Sequence, residues 1–224
     1  MGNKHTSLDR ETLDMLQKKT KMSPKELKDW YKRFRKQFPD GQMSRSEFAH
    51  VYSDFFPGGH SDAFADIVFN NFDTNGDGAV NFTEFTCALG IINNGSVDEK
   101  INWAFDLYDQ DKNGVISLSE LTTMLKALYK LVGVLDTSQL PPGHLTPEQH
   151  AAAIFEKLDV NKDGTLSREE FIRGTSGDQN ALQFTEVFLC PRHFVITCKT
   201  PNLVCDTSMT ITGLNYSTPL SPLT

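Results

Sequence analysis

Three twelve-residue stretches of this chain share one pattern, and few folds can accommodate it. Residues 73–84 read DTNGDGAVNFTE, residues 109–120 read DQDKNGVISLSE and residues 159–170 read DVNKDGTLSREE. All three fit D-x-[DN]-x-[DN]-G-x5-E, with oxygen-bearing side chains at alternate positions, a glycine at the sixth and an acid closing the turn. A turn of this length wraps the six to eight oxygens that a hard divalent ion of calcium's size takes at about 2.3–2.6 Å. Three full matches, each set between helical patterns, exclude three chance acidic turns.

The spacing assigns the candidate ligands. In the first intact loop, Asp73, Asn75 and Asp77 offer side-chain oxygens and Ala79 a backbone carbonyl, with Asn81 acting through a water and Glu84 through both its oxygens. The second uses Asp109, Asp111, Asn113, the Val115 carbonyl, Ser117 and Glu120; the third uses Asp159, Asn161, Asp163, the Thr165 carbonyl, Ser167 and Glu170. Gly78, Gly114 and Gly164 stand where the sharp turn needs a positive φ. The eighth position is apolar each time (Val80, Ile116, Leu166), which predicts a short strand pairing each loop with a neighbour. Three Ca2+ ions are therefore expected, with Mg2+ admissible in the apo-like state.

The flanks predict helix–loop–helix units. Ser23-Pro24-Lys25-Glu26, Ser96-Val97-Asp98-Glu99 and Thr146-Pro147-Glu148-Gln149 are capping boxes, two with proline at the first helical position. Outgoing helices begin near Phe82, Leu118 and Arg168, with apolar residues at three-to-four spacing. The same frame covers residues 24–56, around the loop KQFPDGQMSRSE at 36–47. That loop keeps Gly41 and Glu47 but puts Lys36 at position 1, Phe38 at position 3 and Pro39 after it. The chain thus reads as all-α, four EF-hands in two paired lobes joined by short β pairing, with the first loop empty. The expected division is 1–95, 96–184 and a disordered tail, 185–224.

Bulk composition agrees. At 224 residues with 38% hydrophobic and 23% charged residues, the chain is an ordinary soluble globular protein. Its net charge of −7 disfavours nucleic acid and suits a cation binder. Residues 1–36 are nevertheless +6, so the remainder is −13. No apolar run reaches the roughly 18 residues of a membrane span, and no secretory signal opens the chain. Three of the four cysteines lie in the tail, which suits a reducing, cytosolic setting.

MGNKHT at the start fits the pattern for removing Met1 and myristoylating Gly2. One acyl chain binds membranes only marginally, and a basic segment supplies the second signal. Three bound Ca2+ ions would bring the net charge from −7 to about −1, easing approach to an anionic surface.

MGNKHTSL, WYKRF before the disabled loop, FFPGG after the first hand, WAFDLYD, KALYKLVG and TPEQHAAAIFEKLD carry a resemblance over roughly residues 1–182. The chain resembles the neuronal calcium sensor family of recoverin-, visinin-, hippocalcin- and frequenin-like EF-hand proteins. It departs from that family in having Phe38-Pro39 where Cys-Pro is usual, so no role tied to that cysteine carries over. The resemblance implies a calcium–myristoyl switch, in which ion loading frees the acyl chain and opens an apolar groove for a target helix. Trp30, Phe34, Phe48, Tyr52, Phe55, Phe56, Phe64, Phe82, Phe85 and Leu89 are the candidate lining, against the plainer reading that they are core. Implied partners are a kinase, cyclase or channel helix and an anionic membrane. The expected protein is a monomer or Ca2+-dependent dimer, cytoplasmic and reversibly membrane-associated.

Beyond Ala181 the resemblance stops. Cys190, His193, Cys198 and Cys205 lack the paired spacing of a zinc site, no C-a-a-X box ends the chain, and a disordered or alternatively spliced extension is expected. No nucleophile, base and orienter come together, so no enzyme is expected. The alternatives to a sensor are a cytosolic calcium buffer and a constitutive regulatory subunit of a channel or enzyme.

Overall fold

The structure, a computed structural model, describes residues 8–55, 60–131, 133–136, 138, 140 and 144–176. The N-terminal signal with Gly2 and the tail beyond residue 176 lie outside the described residues, as does the side chain of Phe55 and all of Phe56. The capping boxes form as the sequence predicts. The Ser23, Ser96 and Thr146 side chains each accept from the third helical N–H, and Glu26, Glu99 and Gln149 return the bond. They open α2 (Pro24–Gln37), α6 (Val97–Tyr108) and α8 (Pro147–Leu158). The incoming helix of the second hand, α4 (Asp62–Phe72), follows Ser61 without a side-chain cap.

Outgoing helices begin at loop position 10 in every hand: α3 (Arg45–Phe55), α5 (Phe82–Asn94), α7 (Leu118–Leu131) and α9 (Arg168–Ser176). Between incoming and outgoing helix, each loop contributes three residues of strand. β1 (Gln42–Ser44) pairs antiparallel with β2 (Ala79–Asn81), and β3 (Val115–Ser117) with β4 (Thr165–Ser167). The register places position 8 opposite position 8, Met43 on Val80 and Ile116 on Leu166. These four side chains are all buried, so each two-stranded bridge roots both of its loops in the core. The fold is mostly helical, with four EF-hands in two β-bridged pairs.

The basic front segment is itself ordered from Arg10. α1 (Arg10–Thr20) starts on Asp9, whose carboxylate accepts from the Thr12 N–H at 2.8 Å, and packs along α5. Leu13, Leu16 and Thr20 form its buried side. Gly90 on α5 lets the two backbones approach. Asn94 Nδ2 donates to the Thr20 carbonyl at 2.8 Å, and Lys21 Nζ donates to the Asn94 carbonyl at 3.0 Å. One continuous apolar core runs through both pairs of hands. At their junction the Phe72 ring meets the Trp103 edge at 6.3 Å, and the His60 N–H donates to the Lys130 carbonyl at 3.1 Å.

Candidate metal centres

Loops 73–84, 109–120 and 159–170 share one trace. In each, the incoming helix ends one residue before position 1, and the position-1 N–H donates to the carbonyl four residues back. These bonds run from Asp73 to Phe69 at 2.8 Å, Asp109 to Phe105 at 2.9 Å and Asp159 to Phe155 at 2.8 Å. Position 4 then takes a left-handed conformation (Gly76 φ 70, Lys112 φ 59, Lys162 φ 58), as does position 6 (Gly78 φ 83, Gly114 φ 91, Gly164 φ 82). Those two reversals turn successive side chains inward.

Backbone amides hold the candidate ligands. One oxygen of the position-1 acid accepts from the glycine at position 6: Gly78 to Asp73 and Gly114 to Asp109 at 2.9 Å, Gly164 to Asp159 at 3.0 Å. Asn75, Asp111 and Asn161 accept from the position-5 N–H, and Asp77, Asn113 and Asp163 from the position-7 N–H. The closing glutamate does two things. One oxygen caps the outgoing helix by accepting from position 9, as Glu84 does from Asn81 and Glu120 from Ser117. Its other oxygen spans the loop to the position-3 N–H of Asn75, Asp111 or Asn161.

Each loop therefore gathers three carboxylates among neutral oxygens, a hard, oxygen-only donor set that fits Ca2+ better than a transition metal. In loop 109–120, carboxylate oxygens of Asp109, Asp111 and Glu120 lie within 4.8 Å of one another. Hydrogen bonds favour the charged form of three of these acids, Glu120, Asp163 and Glu170. Bonds from the Ser167 side chain and backbone hold Glu170 below the usual carboxylate range. For Glu120, partial burial pushes upward, but the bonds from Ser117, Asp111 and Gln110 together outweigh it and the net shift is downward. Asp163 is lowered chiefly by the Thr165 N–H.

Loop 36–47 fails this test in its backbone as well as its ligands. Position 4 is Pro39, whose ring fixes φ near −65° and forbids the left-handed turn the other loops make there. α2 instead continues through positions 1 and 2, and the bond that closes it runs from Phe38 N–H to the Phe34 carbonyl at 2.7 Å. Phe38, at ligand position 3, is buried with its ring 5.0 Å from Phe34. The Arg35 guanidinium lies against Gly41, putting a cation beside the turn. Glu47 keeps only its capping role here, accepting from Ser44 N–H at 2.8 Å and Ser44 Oγ at 2.5 Å. Arg35 gave no signal in the sequence, because a residue before the motif carries no positional rule. Pro39 did, once position 4 is compared across the loops.

The proposed groove residues are packed inward. Phe34, Phe48, Tyr52, Phe64, Phe82 and Leu89 are buried, and Trp30 and Phe85 are half-buried against the same core. They form one aromatic network: Phe34 meets Phe82 at 5.5 Å, Phe48 meets Phe69 and Phe72 at 5.5 and 5.3 Å, and Tyr52 meets Phe64 at 5.8 Å. An open groove requires these contacts to part.

The model of the EF-hand domain pair matches residues 98–176, and an EF-hand model matches residues 64–86. Human recoverin is 38% identical over 187 residues, spanning 83% of this chain and 94% of recoverin. Neuronal calcium sensor 1 of Lymnaea stagnalis is 41% identical over 183 residues, 82% of this chain and 95% of the relative. The chain belongs to the neuronal calcium sensor family. S-modulin of Aquarana catesbeiana, 36% identical over 83% of this chain and 93% of its own length, falls in with them. The relatives that define the family are calcium sensors, not enzymes. Among the described residues no helix is long and apolar enough to cross a membrane.

Proposed function

We propose that the chain is a calcium sensor whose loops 73–84, 109–120 and 159–170 each take one Ca2+ through the eighteen residues named above. The observation that carries this is the shared trace of the three loops, with ligand oxygens already anchored by backbone N–H groups. Anchoring lowers the ordering cost of binding, while the three carboxylates of each loop repel one another when nothing lies between them. Bound Ca2+ supplies the positive charge that lets them converge. Mg2+, smaller and stricter in geometry, is the weaker competitor in the unloaded state.

The sensing step follows from α5. Glu84 is both the closing ligand of its loop and the cap of α5, and α5 carries α1 along its length. A shift of Glu84 towards an ion turns α5 and with it the attachment of the N-terminal segment. That coupling supports a switch in which loading releases an acyl group on Gly2 and parts the aromatic network for a target helix. The reading assigns lobes 1–95 and 96–184, a separate tail at 185–224, and reversible membrane association from the cytoplasm. A kinase, cyclase or channel helix and an anionic bilayer are the partners of that chemistry.

Two measurements test it. Calorimetry should give three ions for the native chain and two for each of Glu84→Gln, Glu120→Gln and Glu170→Gln; three ions in any variant removes that loop's assignment. Cosedimentation of acylated protein with anionic vesicles should require Ca2+ and be lost in Gly2→Ala. Equal binding in chelator would make the anchor constitutive, and no binding in either condition would leave a buffer.

A further inference from the structure

Two arginines stand in equivalent places. Arg45 is position 10 of the disabled loop and Arg168 is position 10 of loop 159–170, each the first residue of an outgoing helix. Each reaches across its lobe to the incoming helix of the other hand. Arg45 Nη1 donates to Asp66 Oδ1 at 3.1 Å and Nη2 to Asn70 Oδ1 at 2.6 Å, with its guanidinium 4.4 Å from the centre of the Phe69 ring. Arg168 Nη2 donates to Asp106 Oδ1 at 2.6 Å and Nη1 to Asn102 Oδ1 at 3.2 Å, its guanidinium 4.1 Å from the Phe105 centre. The three receivers are spaced i, i+3, i+4 both times, with Asp and Asn exchanged.

The stacked rings matter because of their own carbonyls. Phe69 and Phe105 accept the N–H bonds of Asp73 and Asp109, the first residues of loops 73–84 and 109–120. Both rings are fully buried, so each guanidinium covers a side chain that cannot move alone. We infer that Arg45 and Arg168 are positioning residues: each fixes, from one hand, the first ligand of the loop in the other. The first hand thereby sets the affinity of loop 73–84 although it takes no ion itself. At position 10 of loops 73–84 and 109–120 stand Phe82 and Leu118, which cannot make this fork. Phe82 instead meets Phe34 and Tyr31 of α2 edge-on. Each lobe thus has one directed tie, from hand one to loop two and from hand four to loop three.

The inference rests on the ligand assignment above, and the experiment separates the two. Calcium affinity of loop 73–84 is measured in the Glu120→Gln/Glu170→Gln background, with Glu84→Gln added as the control that must abolish binding. Arg45→Met, which keeps an apolar stem over Phe69, should weaken that loop by about threefold to tenfold, the scale of an exposed ion pair plus a cation–π contact. Arg45→Lys should fall between, since one ammonium cannot fork or stack flat. Arg168→Met should leave loop 73–84 unchanged and weaken loop 109–120, read in a Glu84→Gln/Glu170→Gln background. A merely structural loss would move all sites together. Equal shifts in every loop, or none with Arg45→Met while Glu84→Gln still abolishes binding, would overturn the tie; binding that survives Glu84→Gln would overturn the ligand assignment instead.

Discussion

Gly90 is the position where α1 and α5 come closest, and filling it tests whether α1 is a seated part of the lobe. A Cβ built there would lie 2.6 Å from Thr20 Cγ2, 2.9 Å from its Cβ and 3.0 Å from its backbone Cα. Ordinary carbon contacts are about 3.5–4.0 Å, so Gly90→Ala needs a separation of roughly 1 Å. Rotating Thr20 cannot supply it, because two of the three atoms are fixed by the backbone. Overpacking of this kind costs about 1–3 kcal/mol. The gain in helix propensity on replacing glycine by alanine returns about 0.8–1 kcal/mol. The net expectation is a loss of about 1 kcal/mol, felt mainly as about a fivefold increase in the population with α1 lifted. Full release is disfavoured, because it would expose Leu13 and Leu16 at about 1.5–3 kcal/mol each. Cys87 reports the event: it sits one turn before Gly90, near enough to feel the charge of Lys19, and burial pushes its thiol up. With Cys190, Cys198 and Cys205 replaced by serine, thiol labelling of Cys87 should be slow and should quicken several-fold in Gly90→Ala. A variant that melts no lower and labels no faster would show that the approach of the two helices does not seat α1.

Three further outcomes follow from the same geometry. Ile116→Ala, at a fully buried position opposite Leu166, should cost about 2–5 kcal/mol in denaturant unfolding, and under 1 kcal/mol would show the β3–β4 bridge is not rooted in the core. Pro39→Gly frees position 4 but leaves Lys36, Phe38 and Arg35, so calorimetry should still find three ions; a fourth would refute the account of that loop. Burial holds the His150 imidazole below its ordinary value, so the unfolded chain takes up its proton first. The stability this lends is complete above about pH 6.5 and drains as pH falls from there towards the folded value. The melting temperature of the wild type should accordingly drop more than that of His150→Gln on acidification, and parallel curves would remove the argument.

The loops were legible because a turn that presents oxygens to one centre needs set residue types at fixed offsets, and so were the capping boxes, which need only residues three apart. Outgoing helices begin at Phe82, Leu118 and Arg168 as the pattern requires. What the sequence left open was long-range. That α1 forms and lies on α5 depends on Gly90 meeting Thr20, seventy residues apart, for which no local rule exists. The aromatic residues offered both core and groove, since a 3.6-residue stripe says which face is apolar and not whether something else covers it. Here Phe34, Phe48, Tyr52, Phe64, Phe82 and Leu89 are buried and Trp30 and Phe85 half-buried against the same core. Asp66 and Asp106 receive Arg45 and Arg168 across 21 and 62 residues of sequence, pairings for which no local rule exists either.

The disabled loop is best understood through charge and order together. Loop 73–84 carries three carboxylates and no basic residue, so without an ion its own repulsion works against the strand that pairs it. Loop 36–47 sets Lys36 and Arg45 against Asp40 and Glu47 and is neutral. It has no such repulsion to relieve, and its strand, cap and helix end are held by hydrogen bonds of their own. Met43 is then in place opposite Val80, Phe48 against Phe69 and Phe72, and Arg45 across Phe69. A neutral first loop is thus a standing template on which the charged second loop is held near its binding trace. On the proposed reading, a hand one with its ligands restored would lose that template whenever its ion left. On that reading, the ligands missing from hand one serve the ordering of loop 73–84.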